Sequence, residues 1–297
     1  MTKIYDGIMG VVVGDALGLP VEFQARDRFH IMEMSGYGSF DMPPGTWSDD
    51  SSLTLALVES LIRKGKVDTD DIMRNFSLWF TNGYYTPYEK AFDIGRTTYE
   101  SIKRYLDGVA PELCGGTEPW NNGNGSLMRI LPLAFVDCDD TTVDRVGSLT
   151  HAHEISKIAC RIYIKIARHL LQGGDLREML QKIPIEREEF NRLPVIEQFP
   201  RQRIESGGYV LDTLESALWC LLHSNSYREC VLLAVNLGND TDTTGAVAGG
   251  LAGIMYGTGG ERGIPKEWIN QIAKKEWIGE LCASFAERFE KCHSADF

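Results

Sequence analysis

The sequence predicts an all-α protein folded as one domain, and three observations carry that prediction. Apolar residues recur at three- and four-residue intervals in nearly every segment, and alternating strand patterns are almost absent. Two stretches rich in small residues, GIMGVVVGDALG at 7–18 and GAVAGGLAGIMYG at 245–257, keep helical spacing despite their glycines. The helices are too numerous for a four-helix bundle. Glycine inside a helix costs about 1 kcal/mol relative to alanine, so these two stretches need a compensating reason, and close backbone approach supplies it. They are expected to be central helices whose ends bring loops together.

The other elements follow in order. After the first helix, the loop from Gln24 to Gly45 carries Gly36, Gly38, Pro43 and Pro44 and is long for a compact domain, a common property of functional loops. Leu53, Leu57 and Leu61 share one face of a helix running to about Arg63, and Ile72, Phe76, Trp79 and Phe80 do the same in the next. Further helices are expected over 88–106, 153–171, 209–223 and 265–292. There are no internal repeats or low-complexity segments.

Composition excludes several functions. At 297 residues and 43% hydrophobic content the chain can bury a large core. A net charge of -12 works against non-specific nucleic-acid binding and suits a protein that binds cations. Seven scattered cysteines without a C-x-x-C pair indicate neither a disulfide framework nor a zinc ribbon, and read as reduced, mostly buried thiols. Asp6 and Asp15 interrupt the apolar N-terminal run, and no stretch approaches the roughly 18 uninterrupted apolar residues of a membrane span. A cytoplasmic protein with no membrane partner is expected.

Two acidic clusters suggest chemistry. GTWSDDSSLTLAL, 45–57, places Asp49 and Asp50 at the amino end of a helix, where the dipole favours anions by roughly 0.3–1 kcal/mol each. A simple cap, with Ser48 or Asp49 at the N-cap, would look the same. NLGNDTDTTGAVAGG, 236–250, sets Asp240 and Asp242 two apart among Thr241, Thr243 and Thr244 before a small-residue helix. An EF-hand fails here, because Leu251 stands where the twelfth-position glutamate is required. Carboxylates and hydroxyls are what hard divalent cations take, so a two-metal site assembled from both loops competes with two independent caps.

Two further motifs are weaker. In WNNGNGSLMRILPLAF, 120–135, Gly123, Asn124, Gly125 and Ser126 could cradle a phosphate before a helix, although neither a Walker lysine nor a preceding strand is present. His151 and His153 do not form H-E-x-x-H, since Lys157 occupies the last position. One histidine as a cap and one exposed is the plain expectation, and a hydrogen bond to substrate is compatible with it. Tyr84, Tyr85, Tyr88 and Trp120 could stack on a base or be ordinary aromatics.

Taken together, the blocks at 10–23 (GVVVGDALGLPVEF), 45–57, 91–98 (AFDIGRTT), 122–134, 149–154 (LTHAHE) and 236–253 resemble the ADP-ribosylglycohydrolase family over nearly the whole chain. The resemblance implies a compact orthogonal multi-helix domain spanning 1–297, with a central cleft holding two magnesium, or manganese, ions. Ser48, Asp49, Asp50, Asp240, Asp242 and Thr243 fall at the family's metal-ligand positions, with Ser48 where many members have threonine. It also implies that Glu22 acts on the catalytic water or leaving group and that Asp93 lies near the distal ribose. With Asp50, these are the catalytic candidates. The glycine-rich loop, Gly123 to Ser126, and His151 would hold the diphosphate. The implied activity is removal of ADP-ribose from modified protein side chains, arginine foremost, by a monomer whose partners are the modified protein and free ADP-ribose. Alternatives are a silent binding or structural protein on this fold and a hydrolase of another ribosylated small molecule.

Overall fold

The glycines of the first and tenth helices explain the architecture. In the computed structural model, which describes residues 2–289, α1 (Lys3–Gly18) and α10 (Thr241–Tyr256) meet backbone to backbone. A Cβ added at Gly10 would lie 2.3 Å from the Gly249 carbonyl oxygen, one at Gly14 2.1 Å from that of Gly245, and one at Gly18 2.3 Å from that of Thr241. The partner number falls as the residue number rises, so the two helices run antiparallel. Glycines four apart on each helix form a ridge with no side chain, which compensates their poor helix propensity through contact along the whole seam. Buried tyrosines fasten the pair: Tyr227 Oη donates to the Gly10 carbonyl at 2.7 Å and Tyr163 Oη to the Val247 carbonyl at 2.9 Å.

The remaining helices pack around this pair, and no strand occurs among the described residues. They are α2 (Asp49–Lys64), α3 (Thr69–Asn82), α4 (Arg96–Leu106), α5 (Asp140–Gly147), α6 (Glu154–Leu171), α7 (Leu176–Lys182), α8 (Val210–Leu222), α9 (Tyr227–Val235), α11 (Lys266–Ile269) and α12 (Lys275–Phe289). Helix α10 packs on α8 and α9, and α1 on α2 and α12, in one continuous hydrophobic core. The segment Lys3–Val21 is long and apolar enough to cross a membrane, with mean hydropathy 1.4, but 94% of that window is buried as the centre of the core.

Three expected helices change. The helix predicted over 88–106 starts only at Arg96; before it Glu89 and Asp93 take left-handed backbone angles that no helix accommodates. The Thr86 hydroxyl replaces helical pairing there, accepting from the Lys90 N–H at 3.1 Å and donating to the Gly83 carbonyl at 2.6 Å. The stretch 265–292 divides into α11 and α12 because Lys274 is left-handed and the Ala273 N–H turns away to the Gly45 carbonyl at 3.0 Å; residues 290–292, with Cys292, lie outside the described residues. The glycine-rich loop leads into tight 3-10 turns, Asn124–Ser126 and Leu131–Phe135, so it lacks the helix dipole expected behind it. The loop 24–45 is irregular apart from a short turn at Gly38–Phe40, yet it is tied down. Asn236 brackets Ile31 with two 2.8 Å hydrogen bonds.

The seam makes a stability prediction. Gly14→Ala pushes a methyl into the Gly245 carbonyl and is expected to destabilise the fold by about 1–3 kcal/mol or more. Gly259→Ala, where the added Cβ meets nothing within 4 Å, should be close to neutral. Thermal melts of the two variants check this; equal melting temperatures would contradict the close-packed seam.

Candidate metal centre

Because α1 and α10 are antiparallel, the end of α1 abuts the start of α10, and this brings the two acidic loops together. Glu22 follows the short turn Leu19–Val21 beyond α1, while Asp240 and Asp242 open α10. The third contributor is α2. Its first turn docks on the fully buried Asp15 of α1, whose carboxylate accepts from the Ser48 N–H at 2.9 and 3.1 Å, the Ser51 N–H at 3.1 Å and the Ser51 hydroxyl at 2.5 Å. Asp15 therefore fixes where Asp49 and Asp50 point. In sequence Asp15 shows only as an interruption of an apolar run, and the one signal of its role is a carboxylate inside a small-residue helix.

Ser48 is the N-cap of α2, accepting from the Asp50 N–H at 3.3 Å and donating to Asp50 Oδ2 at 2.9 Å. Thr243 also donates to that oxygen, at 3.4 Å. Asn124 holds Asp240 Oδ2 at 2.8 Å and is itself 2.9 Å from Thr213 Oγ1, so this loop residue orients an acidic side chain as well as lining the cleft. After these bonds, one buried oxygen each of Glu22, Asp50, Asp240 and Asp242 has no hydrogen-bond partner. Buried carboxylate oxygens without partners are costly unless something else meets them. Carboxylates around them converge: one oxygen each of Asp15, Asp50 and Asp242 lie within 4.8 Å of one another, as do oxygens of Glu22, Asp93 and Asp242. All donors are hard oxygens, a set that fits divalent magnesium or manganese. The two groups share Asp242.

The electrostatics agree. Burial, then Asp93, then Asp240 push Glu22 up to about 11. Burial first and the neighbouring carboxylates second hold Asp49, Asp50 and Asp242 well above the ordinary carboxylate range, and burial raises Asp93. Asp15 is pushed up to about 7 by burial, with its Ser51 and Ser48 donors pulling it back. Without a cation, so many adjacent charges cannot coexist at low dielectric.

A prediction on stability follows. Carboxyls raised in the folded chain stabilise it below their unfolded values, near 4, and that contribution is lost as pH climbs toward the raised values, about 7 for Asp15 and higher for Glu22. Chelated protein should therefore melt lower at about pH 8 than at about pH 5, and added magnesium should recover more stability at the higher pH. Thermal denaturation with and without chelator reads both, and a magnesium effect that is the same at the two pH values would contradict it.

A cleft of about 470 Å³ opens over this cluster. Its lining combines Glu22, Asp49, Asp93, Asp240 and Thr243 with Gly123, Asn124, Gly125 and His151. Ser126 is the exception among the loop residues: its side chain is buried, turned to Cys160, whose thiol donates to it at 3.5 Å. His151 is also buried, not exposed as one of the two histidines was expected to be, whereas His153 does cap α6, accepting from the Ile155 N–H at 3.3 Å. Trp120 stands 74% exposed at the rim. Tyr84 and Tyr85 are elsewhere, in a separate recess beside Arg63, Arg74 and Trp277. Phe23, Asp93 and Asn239, at or beside acidic site residues, all have left-handed backbones, with φ of 65°, 59° and 63°. For a phenylalanine this is a strained choice of the kind that gathers at functional sites. It is held by reciprocal backbone bonds, Phe23 N–H to Asn239 O at 2.7 Å and Asn239 N–H to Gln24 O at 2.8 Å.

Comparison with known proteins places this geometry. The model of the family described as ADP-ribosylglycohydrolase matches residues 1–295. ADP-ribosylarginine hydrolase Tri1 of Serratia proteamaculans is 32% identical over 95% of this chain and 78% of its own length. ADP-ribosyl-[dinitrogen reductase] glycohydrolase of Rhodospirillum rubrum is 32% identical over 90% of this chain and 89% of its own. A solved structure of an ADP-ribosylglycohydrolase-related protein complex superposes with a TM-score of 0.80 at 29% identity, covering 96% of this chain and 97% of that one.

Proposed function

Since the chain belongs to the ADP-ribosylglycohydrolase family, we propose that it is a magnesium-dependent hydrolase that removes ADP-ribose from arginine side chains of proteins. The observation that supports this most is the set of buried, partnerless oxygens on Glu22, Asp50, Asp240 and Asp242, of which Glu22 and Asp240 line one cleft. Two divalent ions held by Ser48, Asp49, Asp50, Asp240, Asp242 and Thr243 would neutralise the crowded carboxylates and anchor the ribose hydroxyls. Manganese is the natural substitute.

The chain's own residues divide the rest of the work. The acidic lining residues, Asp93 included, face the ribose and stabilise the positive charge that develops at the anomeric carbon as the glycosidic bond breaks. Glu22 Oε2, free of partners, moves the proton: as carboxylate it accepts one from the attacking water, and as acid it returns it to the departing side-chain nitrogen. Water and the glycoside give free ADP-ribose and the unmodified side chain. Gly123 and Gly125, where an added Cβ would crowd His151, leave room for the diphosphate to approach the backbone. Among the described residues six cysteines are free, five of them buried, which suits a reducing compartment, and we propose a cytoplasmic protein.

The arginine linkage rests on the activity named for the Tri1 relatives. A panel of proteins ADP-ribosylated on arginine or on serine, with free nucleotides alongside, tests it. Release from arginine alone supports the proposal, and release only from another linkage or from a small molecule would replace it.

A further inference from the structure

Behind the cleft wall lies a short chain of side chains that the mechanism above leaves unused. Arg129 is fully buried, with its guanidinium 4.7 Å over the Phe76 ring and its Nη2 donating to Thr150 Oγ1 at 2.8 Å and to the Val146 carbonyl at 3.2 Å. Thr150 Oγ1 is in turn 2.8 Å from His151 Nδ1. A guanidinium can only donate, so the Thr150 oxygen accepts on that side and its single hydrogen is free for another acceptor. Thr150 is completely buried, and His151 Nδ1 is the one other atom bonded to that hydroxyl among the described residues. Donation from this hydroxyl to Nδ1 satisfies the buried O–H and puts the imidazole proton on Nε2, whereas in the other tautomer Nδ1 would donate and leave the O–H without an acceptor among the described residues.

The rest of the ring is placed for use. His151 lines the cleft, and its Nε2 makes no hydrogen bond to the described residues. The ring edge lies against the glycine loop: a Cβ at Gly125 would come 2.8 Å from Cε1, and one at Gly123 3.3 Å from Nε2. The backbone is pinned beside it, with the Gly116 N–H on the Thr150 carbonyl at 2.9 Å and the Ala152 N–H on the Gly116 carbonyl at 2.8 Å. Burial and then Arg129 push His151 down to about 3, which keeps the ring neutral.

We propose that Arg129 and Thr150 are positioning residues that lock His151 in its Nε2–H tautomer, so that it presents a fixed, uncharged donor to a phosphate oxygen of the substrate. The ligand part rests on the function proposed above. A histidine free to exchange tautomers would offer a lone pair to the phosphate part of the time, which repels it. The relay removes that state without placing a second cation beside the acidic centre.

The test separates the tautomer from the ligand. Long-range ¹H–¹⁵N NMR of the ligand-free protein should show His151 with Nδ1 unprotonated and Nε2 protonated. Thr150→Val should give a mixed pattern and bind ADP-ribose about tenfold more weakly, the effect of losing one hydrogen bond. Thr150→Ser, which keeps the hydroxyl, should restore both. A wild-type protein protonated on Nδ1 overturns the proposal even if Thr150→Val fails to fold, and so does a Thr150→Val protein with unchanged pattern and affinity. If the wild type shows the Nε2–H pattern but binds no ADP-ribose, the relay stands and the functional assignment falls.

Discussion

Replacing Asp50 or Asp242 by asparagine is expected to lower ADP-ribose release by about 10³-fold or more, the scale set by several kcal/mol of lost charge stabilisation. Both side chains are buried, both carry an oxygen without a partner, and Asp242 belongs to both groups of converging carboxylates. An amide at either position supplies one weaker oxygen ligand and turns N–H groups toward its neighbours. Bound metal measured by elemental analysis should fall with activity. The melting temperature of the chelated protein should rise, because each substitution removes a charge from a crowded, desolvated cluster. Full activity with normal metal content in either variant would show that these residues are not ligands.

The second large effect is expected from Glu22. Glu22→Gln preserves size and shape but cannot carry a proton, so kcat should fall by about 10²–10⁴-fold while metal content and ADP-ribose affinity stay near wild type. This split distinguishes a proton carrier from a ligand, whose loss would lower metal content as well. Glu22 lines the cleft next to Phe23 and its strained backbone, and the hydrogen bonds from the Phe23 N–H to the Asn239 carbonyl and from the Asn239 N–H to the Gln24 carbonyl keep it registered with the start of α10. Retained turnover in Glu22→Gln would pass the proton role to another group.

Much of this was legible from local pattern. The glycines of 7–18 and 245–257 announce close helix contact, and the structure places those helices against each other along a bare seam. The acidic pairs at 49–50 and 240–242 were visible because each opens a helix among hydroxyls, and the antiparallel seam is what joins them. Other features depend on long-range partners that spacing cannot show. Asp15 looks like an interruption in an apolar helix until Ser48 and Ser51 are seen hydrogen-bonded to it. His151 gives no sign in sequence of being buried against the glycine loop, nor Asn124 of holding Asp240. The failed stretch of helix before Arg96 reflects a contest that periodicity ignores: left-handed Glu89 and Asp93 and the Thr86 hydroxyl bonds outweigh apolar spacing.

We propose that the joined acidic loops form a metal-dependent centre that releases ADP-ribose. The most direct measurement is a time course of free ADP-ribose released from an arginine-ADP-ribosylated protein by the chelated enzyme, the same enzyme with magnesium restored, and the Asp242→Asn variant with magnesium. Release by the restored enzyme alone is the predicted result. Equal release by the chelated enzyme, or by Asp242→Asn, would contradict it.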